Sequence, residues 1–399
     1  MPRLSEQLGN ADQLPKRADM STYRYCIFLT IIVATHASAH AQQSDPPPLR
    51  SPEVHADRRV TVRFRAPNAR AVLFARDGAA PAAMQRDSAG VWLFTTEPLS
   101  PDIYPYTFRV DGVTHPDPSN PATKPVYKAA IGQSIIHVPG PPTLSWEVTD
   151  VPRGAITQHF YKSAIIGDER DYFVYTPPNY DPRRSRPYPV LYLLHGFTDD
   201  ATGWMRAGRA HVILDNLIAQ GKAQPMLVVM PLGYGAPEIL GDAFIERRID
   251  STLWRRNTTT FIPSLMQEVI PRVERAYHVG RSRDMRAVAG LSMGGGQALI
   301  AGMHHLDEFA YIGAFSSAVT ILDRDFARAF PSANASMNSR LKLLWVGIGS
   351  RDFLYQDNVR FRDWLRSQGV HFEWVETGGA HTWMEWRRYL TDFVPRLFR

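Results

Sequence analysis

Residues Gly290-Leu291-Ser292-Met293-Gly294 decide how this chain is read. They fit Gly-x-Ser-x-Gly, the strand-to-helix turn that lifts a serine hydroxyl clear of a parallel sheet. Arg286-Ala287-Val288-Ala289-Gly290 before it reads as a short buried strand. Gly294-Gly295-Gly296 after it leads into Gln297-Ala298-Leu299-Ile300-Ala301, a good helix start. Small residues on both flanks let strand and helix approach closely. The serine is then held in a strained position near a helix N-terminus, where negative charge is favoured. Taken alone, the motif also suits a glycine-rich turn with a chance serine. The residues downstream decide between the two.

An α/β-hydrolase orders its triad as Ser, then Asp or Glu, then His. Leu343-Leu344-Trp345-Val346-Gly347-Ile348-Gly349 is an apolar run of strand length, followed by Ser350-Arg351-Asp352. His371-Phe372-Glu373-Trp374-Val375-Glu376 reads as the last strand, and Thr377-Gly378-Gly379-Ala380-His381 follows as a loop. A serine hydroxyl is a poor nucleophile until a neutral imidazole takes its proton, and the imidazole needs a carboxylate to fix its tautomer. Ser292, Asp352 and His381 are therefore the candidate catalytic residues. Asp352 also suits a helix N-cap, and Asp357 is the nearest rival acid, about a turn into the same helix. His195, His304 and His305 lie near motifs without filling the base position.

Pro189-Val190-Leu191-Tyr192-Leu193-Leu194 is an apolar strand running into His195-Gly196-Phe197. In this fold, a backbone N–H after that strand joins the N–H of the residue following the nucleophile to form an oxyanion hole. The amides of Phe197 and Met293 are the candidates, with His195 bracing the loop.

The segments Leu193-Leu194-His195-Gly196-Phe197, Met230-Pro231-Leu232-Gly233-Tyr234-Gly235, Gly290-Leu291-Ser292-Met293-Gly294-Gly295, Asp352-Phe353-Leu354-Tyr355 and His381-Thr382-Trp383 resemble the esterase-D-type branch of the α/β-hydrolases. The match is with carbohydrate esterase family 1, the feruloyl and acetylxylan esterases. Enterobactin-type siderophore esterases are more distant relatives. The resemblance covers residues 155–399 and implies Ser292, Asp352 and His381 as the triad and Phe197 as an oxyanion donor.

The chain starts with a polar stretch, Met1 to Asp19. Arg24 then precedes the short apolar run Cys26-Ile27-Phe28-Leu29-Thr30-Ile31-Ile32-Val33-Ala34, and Ala39-His40-Ala41 offers a small-x-small cleavage site. This reads as a signal peptide over residues 1–41, with Met20 as the expected start, rather than a retained anchor. A secreted or periplasmic protein with no stable membrane span is expected. Cys26 is the only cysteine, so the cleaved chain has no disulfide framework and no thiolate metal site.

Residues 42–51, with Pro46-Pro47-Pro48, read as a stiff linker. From 52 to 140 the pattern is β-like. Arg59-Val60-Thr61-Val62-Arg63-Phe64-Arg65 alternates polar and apolar. Ala71 to Ala75, Gly90 to Thr96 and Tyr104 to Val113 are further strands, with Asp111-Gly112 as a turn signal. Short strands without helical pattern predict a β-sandwich. Tyr106 to Gly112 together with Asp117-Pro118 resembles the family 48 carbohydrate-binding module. Trp92, Tyr104 and Tyr106 are candidate sugar-stacking residues, although aromatics in a small sandwich more often form core. The proline-rich stretch 141–154 is expected to be a linker.

The rest alternates strand and helix, which predicts a doubly wound, mostly parallel sheet. Gly233 to Asn257 is too long for a simple connection and is expected to cover the site. Tyr234, Phe244 and Trp254 in it, with Trp204 and Trp383, are candidates for an aromatic acyl site. Net charge is +6, but the arginines are dispersed in pairs, with no nucleic-acid module. The resemblance implies a secreted serine carboxylesterase acting on esterified plant cell-wall polysaccharide without metal or organic cofactor. Feruloyl ester is the first expected substrate, acetyl ester on xylan the second and a siderophore the third. The reading from another class, a carbohydrate-binding protein with an inactive hydrolase domain, is opposed by the intact Ser292, Asp352 and His381.

Overall fold

The structure is a computed structural model that describes residues 48–128, 131–241 and 250–399. The expected signal segment 1–41, the start of the 42–51 linker and Phe244 lie outside the described residues.

Alternating apolar residues in the front part build two antiparallel sheets. One runs Glu53–Val54, Val60–Arg65, Val91–Thr95, Gln85–Arg86. The other runs Ala82–Ala83, Val72–Arg76, Asp102–Val110, Gln133–Val138, Thr123–Lys124, with Val113–His115 added beside Asp102–Val110. Asp111 (φ 46°) and Gly112 (φ 90°) make the tight turn into that added strand, and both positions demand the left-handed conformation that Asp-Gly tolerates. Val60, Val62, Phe74, Tyr106, Phe108 and Ile136 close the space between the sheets.

The second architecture is one eight-stranded sheet. Its order is Ala155–Lys162, Glu169–Thr176, Leu227–Pro231, Val190–Leu194, Arg286–Leu291, Tyr311–Phe315, Leu343–Gly349, Glu373–Thr377. The first two strands pair antiparallel with each other, and the second is antiparallel to the third. All remaining pairs are parallel. Every residue of Val190–Leu194, Arg286–Leu291, Tyr311–Phe315 and Leu343–Gly349 is buried. Strands covered on both faces read as continuous apolar runs, and this is how the sequence presents them. The fold is an α/β-hydrolase preceded by a β-sandwich. Among the described residues, no helix is long and apolar enough to cross a membrane.

The stretch 141–154 is not a free linker. Trp146 is 3% exposed and belongs to the same core cluster as the hydrolase sheet. Thr149 donates to Asn216 at 2.5 Å, and Gly154 N–H donates to Asp215 at 2.9 Å. The helix Trp383–Phe393 carries the fully buried Arg387, which donates to Asp102 at 2.5 Å and to the carbonyls of Ile103 and Ala207 at 2.6 and 2.7 Å. Arg388 adds a second bond to Asp102 at 2.8 Å. The sandwich is therefore joined to the hydrolase by buried charge as well as by apolar packing.

Candidate active site

Ser292 stands between the strand Arg286–Leu291 and the helix Met293–His304, with φ 52° and ψ −115°. This left-handed conformation is costly for a residue with a Cβ and persists only where the surroundings impose it. Here Ser292 N–H donates to the Phe315 carbonyl at 2.9 Å, and the Ser292 carbonyl accepts from Gly296 and Ala318 at 3.1 and 2.9 Å. The close approach needs glycine at both ends of the motif. A Cβ on Gly290 would lie 2.4 Å from the Gly294 carbonyl oxygen, and one on Gly294 would lie 2.5 Å from the His195 carbonyl oxygen.

Asp352 and His381 lie on loops after the adjacent strands Leu343–Gly349 and Glu373–Thr377. The loops are tied to each other: Ser350 N–H donates to Thr377 at 2.8 Å and Arg351 N–H to Gly379 at 2.9 Å. His381 Nδ1 donates to Asp352 at 2.8 Å, and Ser292 Oγ lies 3.0 Å from His381 Nε2. Asp352 is buried and also accepts from Leu354 N–H at 2.9 Å. It is not the N-cap of the helix Tyr355–Ser367, a position that Leu354 holds, so its carboxylate serves the loop and the imidazole. Asp357 pairs with Arg360 instead. The rings of Phe353 and Trp386 flank the imidazole at centroid distances of 4.4 and 4.9 Å.

Met293 is the first helical residue, so its N–H has no carbonyl within the helix to bond. Phe197, on the loop after Val190–Leu194, lines the same cavity as Met293. His195 shapes that loop: its Nδ1 donates to Gly196 O and its Nε2 accepts from Gly233 N–H, both at 2.8 Å. This pair of partners requires the neutral ring, and burial lowers its pKa in the same direction. The sandwich also holds the loop. Lys124 forms a buried ion pair with Asp199. Tyr127 N–H donates at 3.0 Å to the carbonyl of Thr198, a β-branched residue at φ 72°.

Two cavities meet at Ser292. The larger, 620 Å³, is walled by Phe197, Trp254, Met293, Ile321, Leu322 and Phe353. The rings of Phe197 and Trp254 pack in it at a tilt of 60°, 4.8 Å between centroids. The smaller, 140 Å³, is walled by the loop 196–199, His381, Trp383 and Trp386, and from the sandwich by Asp77, Lys124 and Gln133. Burial raises the Asp77 carboxyl to about 6, against the pull of Lys124 and with a further push from Asp199. Among the described residues, no cluster of three or more His, Cys, Asp or Glu side chains is placed to hold a metal.

Of the aromatic candidates for the acyl site, Trp254 lines the larger cavity. Trp204 does not: it is 1% exposed, and its Nε1 donates to Leu194 O at 2.9 Å beneath the sheet end. Tyr234 is fully buried, stacks on Tyr127 at 4.9 Å and donates to Asp199 O at 2.9 Å. Trp383 reaches only the smaller cavity and packs edge-on against Trp204. The sugar-stacking candidates are corrected in the same way. Trp92, Tyr104 and Tyr106 are buried, and they donate to Ala66 O, Ser100 O and Asp117 respectively at 2.7–2.8 Å. Their faces serve the sandwich core. Sequence reasoning missed Asp77, Lys124 and Gln133. No motif marks them, and their distance along the chain from Ser292 hides their proximity.

The Esterase family model, described as "Putative esterase", matches residues 163–397. Among curated proteins, the chain is similar to the endo-1,4-beta-xylanase/feruloyl esterase of Xylanibacter ruminicola, 28% identical over 87% of this chain and 46% of that protein. The chain thus spans about half the length of that relative. Among solved structures, a CE1 ferulic acid esterase of Anaeromyces mucronatus aligns with TM-score 0.55 and 22% identity, over 63% of this chain and 93% of that one. The enterobactin esterase of Shigella flexneri aligns with TM-score 0.61 and 19% identity, over 84% of this chain and 92% of that one. These two structures share the fold. With 163–397 matched by the family model, the chain belongs to the Esterase family.

Proposed function

We propose that this protein is a serine carboxylesterase that removes an aromatic acyl group, in first place ferulate, from esterified plant cell-wall polysaccharide. The observation that carries the reading is Ser292 Oγ 3.0 Å from His381 Nε2, opening onto a 620 Å³ cavity that Phe197, Trp254 and Phe353 share with Arg255, Arg324 and Arg328. That volume lies within the range of about 300–1,000 Å³ typical of small-molecule sites and suits an aromatic acid better than acetate. The likeness to the Xylanibacter ruminicola xylanase/feruloyl esterase supports it.

In the proposed reaction, His381 takes the Ser292 proton as Oγ attacks the ester carbonyl. The N–H groups of Phe197 and Met293 hold the resulting oxyanion. The C–O bond to the alcohol breaks, and His381 Nε2–H gives its proton to the leaving oxygen. His381 then deprotonates water, which attacks the acyl-serine; the C–Oγ bond breaks, His381 returns the proton to Ser292 Oγ, and the acid is released. Asp352 keeps the imidazole in the tautomer that each step requires. Export is proposed as well, with cleavage after Ala41.

The test is product release from methyl ferulate and acetylated xylan by the protein and by Ser292→Ala. Ferulate release that falls on the order of 10⁴-fold or more in the variant supports the reading. Acetate release alone moves the substrate to acetylxylan. Inactivity on both overturns the esterase.

A further inference from the structure

We infer that the smaller cavity at Ser292 is the site for the sugar alcohol of the ester, and that the sandwich supplies its polar wall through Asp77 and Gln133. The inference rests on the esterase reading and deepens it. The general acid must touch the oxygen that leaves with the alcohol. His381 lines the smaller cavity, together with Asp77, Lys124 and Gln133. The larger cavity holds Met293 and the apolar wall of Ile321 and Leu322. The acyl group therefore belongs in the larger space and the alcohol in the smaller.

The lining of the smaller cavity suits a polyol. Asp77 offers a carboxyl and Gln133 an amide, so hydroxyls find both acceptors and donors. Trp383 and Trp386 also line the cavity but are nearly buried, so they close it with apolar edges and leave recognition to the polar groups. Lys124 is held by Asp199, which fixes the wall against the oxyanion loop. The cavity volume, 140 Å³, admits a single sugar unit rather than a second large apolar group. A simple alcohol such as methanol carries no further hydroxyl to bond these polar groups once it is esterified.

The test compares kcat/KM on methyl ferulate with kcat/KM on arabinofuranose carrying ferulate at its 5-hydroxyl, for the full protein, Asp77→Asn and Gln133→Ala. Both substrates are measured on one preparation, so a partly folded variant changes both rates equally and leaves their ratio intact. The expected result is a drop of about tenfold in the ratio of sugar ester to methyl ester, consistent with one or two hydrogen bonds lost. A ratio within twofold of the unmodified protein in both variants overturns the subsite, whether the two rates stay or fall together. Inactivity of the unmodified protein on methyl ferulate is the separate failure of the esterase reading, and the subsite falls with it.

Discussion

A serine, an imidazole and a carboxylate become a relay only at hydrogen-bond distance, and here the distances are 3.0 and 2.8 Å. The remaining titratable groups near Ser292 are sorted by their surroundings. His195 is buried between a carbonyl and an N–H and serves the loop as a neutral ring. Asp77 lines the smaller cavity, and partial burial raises its carboxyl to about 6. The native protein thus keeps this proton to higher pH than the unfolded chain does, so its stability relative to that chain falls as pH rises from about 4 to 6. Asp77→Asn removes the cost. Its melting temperature relative to the unmodified protein is expected to climb through that window and level off above it. A difference that is flat from pH 4 to 8 contradicts the assignment.

At the scale of elements, the site is made by four strand ends, those of Val190–Leu194, Arg286–Leu291, Leu343–Gly349 and Glu373–Thr377, and the loops they release. The elbow works because strand and helix nearly touch. Gly294→Ala places a Cβ 2.5 Å from the His195 carbonyl oxygen and 2.6 Å from that of Leu194. Backbone atoms cannot rotate away as a side chain can, so the helix must move off the sheet and take Met293 N–H with it. The expected outcome is a loss of about 1–3 kcal/mol in stability, read by urea unfolding, with a fall in kcat that exceeds the unfolded fraction. Full activity in a stable variant contradicts the close approach. The oxyanion loop is a second device of the same kind. Thr198 sits at φ 72°, and its neighbours Gly196 and Asp199 are held by His195 and Lys124.

For the whole molecule, the sandwich is structurally continuous with the hydrolase. Arg387 is fully buried and depends on Asp102 for its charge partner, across 285 residues of sequence. Breaking a buried pair by removing one partner leaves an uncompensated charge and costs about 3–5 kcal/mol. Asp102→Ala is therefore expected to lower the melting temperature by roughly 5–10 °C. Calorimetry should show one transition for sandwich and hydrolase together. Two separate transitions, or an unchanged melting temperature, would show that the two parts do not depend on each other.

Local chemistry decided what the sequence alone could determine. Gly-x-Ser-x-Gly, an Asp after an apolar run and a His after the last strand announce themselves because elbow, acid loop and base loop are each built from neighbours in the chain. The alternation of strand and helix was legible for the same reason, since periodicity is a local property. Which aromatics line a cavity was not legible. Trp204, Tyr234, Trp92, Tyr104 and Tyr106 have the composition of binding residues, but burial of their faces and a carbonyl or carboxylate for their polar atoms is decided by packing between distant segments. The stretch 141–154 has the prolines of a linker, yet Trp146 finds a core that the stretch itself does not contain. Asp77, Lys124 and Gln133 reach the site only because the fold lays the sandwich edge against a loop 75 residues beyond Lys124. Electrostatic pairing and cavity shape depend on through-space distance, and only the tertiary structure sets that distance.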